Sequence, residues 1–260
     1  MIRALTTAAT GLEAQQANIE RISNDMANVN TDGYKRSRTE FQDLMYETVK
    51  EPGATLGANS MSPVGVQIGM GVKVGATHKI FEQGPAKVTD NMFDILVNGK
   101  GFLPVQLING EVGYTRNGAF HLDGQGRLML SNGAQMIPPV TVPSDSTHVG
   151  ISPQGEIKST NSQGGETVIG QIQLVDFVNM EGLVAQGDSI YKPSLATGNP
   201  VQGIPGENGL GVLQQGALEG SNVNVANSMV DMITTQRAYE MGTKVMGVAD
   251  QMLNATVNIK

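Results

Sequence analysis

Both ends of the chain place apolar residues at alternating steps of three and four, the spacing that gives an α-helix one apolar stripe. The N-terminal seam runs through Ile2, Leu5, Ala9, Leu12, Ile19 and Met26. The C-terminal seam runs through Val225, Met229, Met232, Gln236, Tyr239, Met246 and Leu253. A stripe of this kind needs a partner helix, as the a and d positions of coiled coils do. Because the two seams lie at opposite ends of the sequence, the simplest solution pairs the terminal helices with each other.

Glycines lie inside both helical segments, outside the seams. Examples are Gly11 in the first segment and Gly242 and Gly247 in the second. A glycine inside a helix costs about 1 kcal/mol relative to alanine, so several of them indicate that backbones approach closely on more than one side. A two-helix hairpin does not require this. An ordinary intramolecular pair packed on a domain remains the alternative.

The composition favours several small cores over one compact globule. The chain has 260 residues, of which 39% are hydrophobic, a low fraction for a single core. Its net charge is −7 and Lys/Arg runs are absent, which speaks against nucleic acid and anionic membrane surfaces as partners. It has no cysteine, no 18-residue apolar stretch and no apolar segment typical of a cleaved signal peptide. Membrane insertion is therefore not expected, and any export would use an unusual route.

The middle of the chain has the pattern of antiparallel β-structure. Short apolar runs are separated by turn signals at Asn109-Gly110, Asn117-Gly118, Asp123-Gly124, Asn132-Gly133 and Gln154-Gly155. The segment from Pro52 to Gly65 carries no charge and predicts a linker or protruding loop. Residues 37–50 fit a short helix or an extended connector, and the alternation after Val66 predicts one long half-buried strand. The expected fold class is α+β, with a coiled-coil-like pair of terminal helices flanking an antiparallel β-rich domain.

This pattern divides the chain into four parts. We expect an N-terminal helix at 1–30 and a connector at 31–80 that contains an extended Pro/Gly-rich segment at 46–65. An antiparallel β domain should follow at 81–215, and a C-terminal helix at 216–260.

The sequence does not favour catalysis, a cofactor or a metal. The three histidines lack a second ligand at metal-binding spacing, and no nucleophile elbow occurs. Four carboxylates in the β-type region could supply a glycosidase pair: Asp94, Asp123, Glu156 and Asp176. The chain has no tryptophan to form a sugar platform. A periplasmic glycan hydrolase and a monomeric adaptor are kept as alternatives from other functional classes.

Two long motifs resemble those of a known family. The segment SNDMANVNTDGYK at residues 23–35 closely resembles the N-terminal signature of flagellar rod and hook proteins. The segment EGSNVNV at 219–225, followed by QRAYE at 236–240 and DQML at 250–253, is similar to their C-terminal helix. Together with QIGMGV at 67–72, the resemblance covers essentially the whole chain. The length is short for a hook protein, and the stretch from Tyr46 to Gly65 is similar to a segment of distal rod members.

The resemblance implies a subunit of the flagellar shaft, forming a helical homo-oligomer in the basal-body rod that crosses the periplasm. It implies export through the flagellar type III apparatus, without a cleaved signal peptide. The implied partners are proximal rod proteins, the hook protein, the hook-side junction and the surrounding ring bushing proteins. A proximal rod subunit is the alternative within the family, favoured if residues 46–65 make no subunit contact.

The same resemblance assigns the assembly residues. The terminal helices would pack on those of neighbouring copies around the export channel, and the β domain would form the outer shell. Self-assembly is then assigned to seam and turn positions: Leu5, Leu12, Ile19, Met26, Asn28, Asn30, Gly33, Val225, Met229, Met232, Gln236, Tyr239, Met246 and Leu253. The wedge that keeps the polymer straight is assigned to Pro52, Gly53, Pro63 and Gly65.

Overall fold

The computed structural model describes residues 2–52, 55–57, 60–61, 63–161 and 165–258. A long helix lies at each end, α1 (Ile2–Ala27) and α2 (Val225–Asn258), with β-strands between them. The chain divides into two compact units. The helical unit comprises Met1–Met26, Ser37–His78 and Asn224–Lys260, and the β unit comprises Ala27–Arg36 and Lys79–Val223.

The strands of the helical unit form one long two-stranded ribbon. They are β1 (Ser37–Asp43), β2 (Tyr46–Lys50), β3 (Thr55–Gly57), β4 (Ser60–Met61), β5 (Val66–Gly69) and β6 (Val72–Lys79). β1 pairs with β6, β2 with β5, and β3 with β4, which is the nested order of a single hairpin. The Leu44 N–H donates to Gly71 O at 2.8 Å and the Met70 N–H to Met45 O at 3.2 Å, so the ribbon continues between these pairs.

The ribbon refines the sequence predictions for residues 37–80. Residues 37–50 are extended, which was one of the two options. Strands continue into the uncharged segment that we expected to be a linker or loop, because cross-strand hydrogen bonds satisfy a backbone whose composition gives no strand signal. The predicted single strand after Val66 is divided at Gly71, whose φ is +120°. Val66, Ile68 and Met70 are exposed, since this part of the two-stranded ribbon has no buried face.

The two helices begin and end at recognisable signals. Asn224 caps α2, since its side-chain Oδ1 accepts the Asn227 N–H at 3.1 Å. α1 ends at Ala27, before the Asn-rich turn that leads to Gly33, whose φ of +71° is left-handed. Both helices lie within the predicted ranges, but α2 begins at Val225 rather than at 216, because Ala217–Glu219 pair as a β-strand.

The β unit is an assembly of short strands and one 3-10 turn. Its strands are β7 (Ala86–Val88), β8 (Ile95–Asn98), β9 (Leu103–Gln106), β10 (Val112–Thr115), β11 (Phe120–Leu122), β12 (Leu128–Leu130), β13 (Gln135–Met136), β14 (Ser146–Ile151), β15 (Glu156–Asn161), β16 (Glu166–Gln171), β17 (Leu174–Asp176), β18 (Val184–Gly187), β19 (Ile190–Lys192), β20 (Val201–Gly203), β21 (Val212–Gln215) and β22 (Ala217–Glu219), with the 3-10 turn at Met180–Gly182.

These strands form one seven-stranded sheet, in the order β11-β12-β13-β9-β10-β19-β18, and smaller sheets around it. β14, β15 and β16 make a three-stranded sheet, and β17·β20, β21·β8 and β22·β7 are two-stranded pairs. The pairings within the β unit are antiparallel. The prediction of terminal helices flanking an antiparallel β-rich middle is confirmed.

Four of the five turn signals lie at hairpin turns, between β9 and β10, β11 and β12, β12 and β13, and β14 and β15. Asn117-Gly118 is different, because β10 and β11 are not neighbours in the sheet. A Cβ on Gly118 would lie 1.7 Å from Ile95 O, so this glycine permits a close backbone approach rather than a hairpin.

Two apolar clusters form the core of the β unit. The larger includes Ile95, Leu103, Phe120, Ile157 and Leu174, all fully buried. The smaller is aromatic and contains edge-to-face contacts, with ring centroids 4.8 Å apart for Tyr114 and Phe177. Such contacts add to the hydrophobic gain of burial. A single chain therefore supplies this unit with a closed core.

Candidate assembly surfaces

α1 and α2 pack against each other within the helical unit. Asn18 Nδ2 donates to Thr235 Oγ1 at 3.1 Å. Leu12, six residues before Asn18 in α1, lies beside Gly242, seven residues after Thr235 in α2. The two helices therefore run antiparallel. A Cβ on Gly242 would lie 2.7 Å from Leu12 Cδ2, so glycine permits this approach.

The contact stripe of α2 is rotated from the predicted seam. Among residues 225–255 of α2, those that are buried or half-buried form this stripe: Ser228, Met232, Thr235, Ala238, Gly242, Met246, Ala249 and Leu253. Three predicted seam residues of α2 belong to it, namely Met232, Met246 and Leu253, while Val225, Met229, Gln236 and Tyr239 are exposed. On α1, the predicted Leu5, Leu12, Ile19 and Met26 are half-buried. The contact stripe of α2 contains small side chains because they let the two helices approach closely. The predicted seam followed large apolar residues and therefore missed it.

A second apolar stripe on α2 is exposed. Its side chains are 53% to 61% accessible, and the last three follow steps of four and three residues: Val230, Met241, Val245 and Val248. A helix with apolar residues on more than one side is normally covered on more than one side. α1 covers one side, so this second stripe is available to another partner.

An open apolar groove of about 610 Å³ adjoins this stripe in the helical unit. Small residues of α1 line one side and Ile68 and Gly69 of β5 another, while Gly242 and Val245 contribute from α2. Val245 belongs to both the groove and the exposed stripe, so the two form one continuous apolar surface. Exposed apolar surfaces of this extent commonly mark interaction sites.

The ribbon also exposes large apolar side chains. Met45 is 83% accessible, and Tyr46, Val49 and Val64 are also exposed. A two-stranded hairpin without a packed face is marginally stable in water. The side chains of Arg3 and Glu47, with the nitrogen and oxygen 2.6 Å apart, tie α1 to β2.

Three of the four residues assigned to straightness lie in the described part of this ribbon region. Pro52 and Pro63 are exposed, and Gly53 lies outside the described residues. Gly65 is packed closely: a Cβ there would lie 2.6 Å from Lys50 O.

The turn after α1 places its predicted residues differently. Asn28 and Asn30 are at least partly accessible, and the Thr31 N–H donates to Asn28 O at 3.2 Å. Gly33 is buried, and its N–H donates to Glu219 O at 2.7 Å. A Cβ on Gly33 would lie 2.6 Å from Asn117 N, so this glycine has a contact role inside the β unit.

A cluster of buried charges lies beside Gly33. The side chains of Lys35 and Glu219 are 0% accessible and that of Arg116 is 3%. Lys35 Nζ donates to Glu219 Oε1 at 2.6 Å and to Glu82 O at 2.7 Å, and the Gly84 N–H donates to Glu219 Oε1 at 2.9 Å. Arg116 Nη1 lies 3.5 Å from Glu219 Oε2. We name these three residues the Glu219 cluster.

Burial dominates the electrostatics of the Glu219 cluster. Desolvation lowers the pKa of the Lys35 ammonium below its ordinary value, although the Glu219 carboxylate opposes this shift. The pKa of the Arg116 guanidinium is lowered for the same reason, with Glu219 again opposing. Arg116 Nε has no hydrogen-bond partner among the described residues. Our sequence reasoning missed this cluster, although Lys35 and Glu219 carry opposite charges in the two motifs that pointed to the family.

Two of the four carboxylates considered for catalysis, Asp94 and Asp123, are engaged in structural contacts. Asp94 is buried and accepts hydrogen bonds from Thr89 Oγ1 at 2.6 Å and Asn91 Nδ2 at 2.9 Å. Asp123 accepts the Arg127 N–H at 3.0 Å and pairs with its guanidinium. The backbone N–H of Arg127 lowers the pKa of the Asp123 carboxyl below its ordinary value, and the Arg127 side chain adds to this.

The described residues contain neither a metal-binding cluster nor a membrane-spanning helix. In ranges 2–52, 55–57, 60–61, 63–161 and 165–258, no three His, Asp or Glu side chains are placed to hold a metal ion. Within the same part of the chain, none of the helices has the length and apolarity to span a bilayer.

An exposed apolar surface in one unit and a closed core in the other are typical of a subunit that associates with further chains. Comparison with known proteins gives the family. Three families match: "Flagella basal body rod protein" at residues 5–35, "Flagellar hook protein FlgE/F/G D1 domain" at 96–159, and "Flagellar basal body rod FlgEFG protein C-terminal" at 214–259.

Full-length relatives agree with these matches. The chain is 45% identical to "Flagellar basal-body rod protein FlgG" of Buchnera aphidicola subsp. Acyrthosiphon pisum over 97% of this chain and 98% of the relative. It is 42% identical to the protein of that name in Caulobacter vibrioides, over 100% of both chains. It is 40% identical to that of Borreliella burgdorferi, over 100% of this chain and 99% of the relative. The chain therefore belongs to the flagellar basal-body rod protein family.

Proposed function

We propose that this chain, a structural subunit of the flagellar rod, builds the distal rod as a rigid helical tube that transmits motor torque to the hook. The observation that carries the proposal is the exposed apolar stripe and groove of the helical unit in a chain whose full-length relatives are named rod proteins. A soluble chain that leaves such a surface uncovered gains free energy when further copies cover it. The distal position rests on the similarity of the stretch from Tyr46 to Gly65 to a segment of distal rod members of the family.

In this assembly, the terminal helices pack in a coiled-coil-like manner against those of neighbouring copies and enclose the export channel. The exposed members of the predicted set, Val225, Met229, Gln236 and Tyr239, contact another copy, while the half-buried members hold α1 and α2 together. Asn28 and Asn30 shape the turn that follows α1. The β unit forms the outer shell of the rod.

The remaining partners follow from this position. We propose that the subunit leaves the cell through the flagellar type III apparatus and joins the part of the rod that crosses the periplasm. Proximal rod proteins lie on one side, the hook-side junction and hook protein on the other, and ring bushing proteins surround it. We further propose that the chain has no catalytic role.

Electron microscopy of the concentrated, purified full-length chain tests the assembly. We expect straight tubes from the natural sequence and none from Met241→Asp, because a charge on the exposed stripe must then be desolvated in the interface. Gln251→Asp adds the same charge at an exposed polar position of the same helix and should still give tubes. Failure of the natural chain to polymerise under any condition that keeps it folded would contradict the proposal.

We also propose that the ribbon segment with Pro52, Gly53, Pro63 and Gly65 lies between neighbouring copies and keeps the tube straight. The two-stranded ribbon with exposed apolar side chains supports this, since a partner surface would stabilise it. Deleting residues 52–65 should give curved or irregular tubes in the same microscopy experiment. Straight tubes of normal diameter from the shortened chain would show that the segment has no such role.

A further inference from the structure

Three segments at the edge of the β unit are joined by hydrogen bonds into one bundle. They are residues 33–36, 79–84 and 219–222, and each lies close in sequence to a point where the chain passes between the β unit and the helical unit. The Gly33 N–H donates to Glu219 O at 2.7 Å, and the Ile80 N–H donates to Arg36 O at 2.9 Å. The first segment is thus bonded to both of the others.

Asn222 adds side-chain bonds to the same bundle. The Arg36 N–H donates to Asn222 Oδ1 at 2.7 Å. Asn222 Nδ2 donates to Ile80 O at 2.9 Å and lies 3.1 Å from Glu82 O. One amide side chain therefore contacts all the segments, since it belongs to the third and bonds to the first two.

The Glu219 cluster is the buried centre of this bundle. Its carboxylate accepts from Lys35 of the first segment and from Gly84 of the second, while Arg116 approaches its other oxygen from the strand region of the β unit. Hydrogen bonds between ionised groups are stronger than neutral ones. Removing one partner of a buried ion pair is strongly destabilising, because a charge is left unpaired away from water.

We propose that Glu219 is a positioning residue that joins the three connecting segments to the β unit, so that load entering through any one of them is shared by the others. The inference rests on the proposed function, because load on these segments arises only in a shaft that carries torque. A hydrogen-bonded bundle with a buried ionic centre resists the separation of its strands, whereas a lone connecting segment yields at its soft backbone dihedrals.

The test compares Glu219→Gln with Glu82→Gln in the full-length chain by site-resolved amide hydrogen exchange. Glu82 is the control, because it lies in the same bundle but forms an exposed ion pair with Arg36. In Glu219→Gln, we expect exchange at Gly33, Arg36, Ile80 and Gly84 to accelerate at least about tenfold, while Val105 and Ile157 in the β core are unchanged. Glu82→Gln should leave all of these amides unchanged.

Two results would overturn the inference. Equal acceleration of the bundle and the core would show that Glu219 acts only on global stability, and unchanged exchange of the bundle would show that it joins nothing. A second variant, Asn222→Ala, removes the peripheral bonds without leaving a buried charge and should accelerate the same amides to a smaller extent. Hydrogen exchange is measured on the unassembled chain, so it tests the role of Glu219 even if the natural sequence forms no tubes. A failure to form tubes would count against the proposed function alone.

Discussion

The helical unit and the β unit treat their apolar side chains in opposite ways. In the β unit, two clusters close over themselves, and residues such as Phe102 and Ile157 have no accessible surface. Among the described residues of the helical unit, the apolar side chains classed as buried are Ala14, Ile22 and Ala249. The β unit therefore contains its own source of stability, whereas the helical unit leaves much of its apolar surface exposed.

This difference indicates a division of labour in one chain. A closed core gives a shell that keeps its shape before and after assembly. An open apolar surface gains its largest free energy when further copies cover it. A polymer subunit needs both properties, and here they are assigned to different units.

The largest expected effect is a loss of stability when the same change, phenylalanine to alanine, is made in each unit. Phe120→Ala removes a fully buried ring from the β core and should cost about 3–5 kcal/mol. Phe41→Ala in the ribbon removes a ring that is already 42% exposed and should cost below about 1 kcal/mol. Urea unfolding measures both. Near-ultraviolet circular dichroism, which responds mainly to the buried Tyr114 and Tyr191, follows the β unit, and the far-ultraviolet helix signal follows the helical unit.

Equal costs for the two phenylalanines would contradict the division. In that case, the single chain would already stabilise its ribbon by packing, and the exposed side chains would not be reserved for assembly.

A smaller loss of stability is expected from a change at Gly33, which lies close in sequence to the boundary between the two units. Gly33 belongs to the family motif after α1, yet its contacts lie in the β unit. Gly33→Ala should cost at least about 1–2 kcal/mol for the left-handed conformation alone, and the clash with Asn117 N adds to this. The loss should appear in thermal unfolding of the unassembled chain.

The matched control for this change is Gly124→Ala, where a Cβ meets no heavy atom within 4 Å and φ is not in the left-handed region. We expect little change in Tm for this variant. If the Gly33→Ala chain were as stable as the control but unable to form tubes, Gly33 would act in assembly rather than in the stability of the β unit.

The smallest expected effect concerns acid stability of the β unit. The folded-state pKa of Asp123 is lowered from an ordinary value of 3.8, mainly by the Arg127 N–H. The carboxylate therefore contributes stability above pH 3.8, and this contribution is lost as pH falls through the lowered pKa. Asp123→Asn should lower Tm slightly at pH 7, and its difference from the natural chain should vanish in acid.

Asp145→Asn, at an exposed position of the same unit, serves as the reference for this titration. If the difference in Tm between Asp123→Asn and the natural chain persisted below pH 2, the effect would come from turn geometry rather than from charge.

Much of the fold was accessible from local sequence patterns. The helix period located α1 and α2, and Asn-Gly, Asp-Gly and Gln-Gly pairs located four hairpin turns, because these signals depend on neighbouring residues alone. The terminal helices pack against each other as expected, although the stripe of α2 that they use is rotated from the predicted seam. The assembly contacts of individual seam residues stay a prediction.

Other features were beyond local patterns. The stripe by which α2 contacts α1 is centred on small residues such as Ala238 and Gly242, whereas the sequence seam followed larger apolar residues. The segments near Pro52 and Pro63 form strands, although their composition predicted a loop. Cross-strand hydrogen bonds hold these strands, and composition does not reveal such bonds.

The sequence by itself determined the helices, the antiparallel hairpins and the family, because periodicity, turn chemistry and long motifs are local properties. The tertiary structure alone decided which apolar face of α2 is covered by α1 and which is left exposed. It also decided that Lys35 and Glu219, 184 positions apart, meet as a buried pair beside Arg116. The physical reason is that burial and pairing of charges depend on distances in space, and a one-dimensional pattern does not contain them.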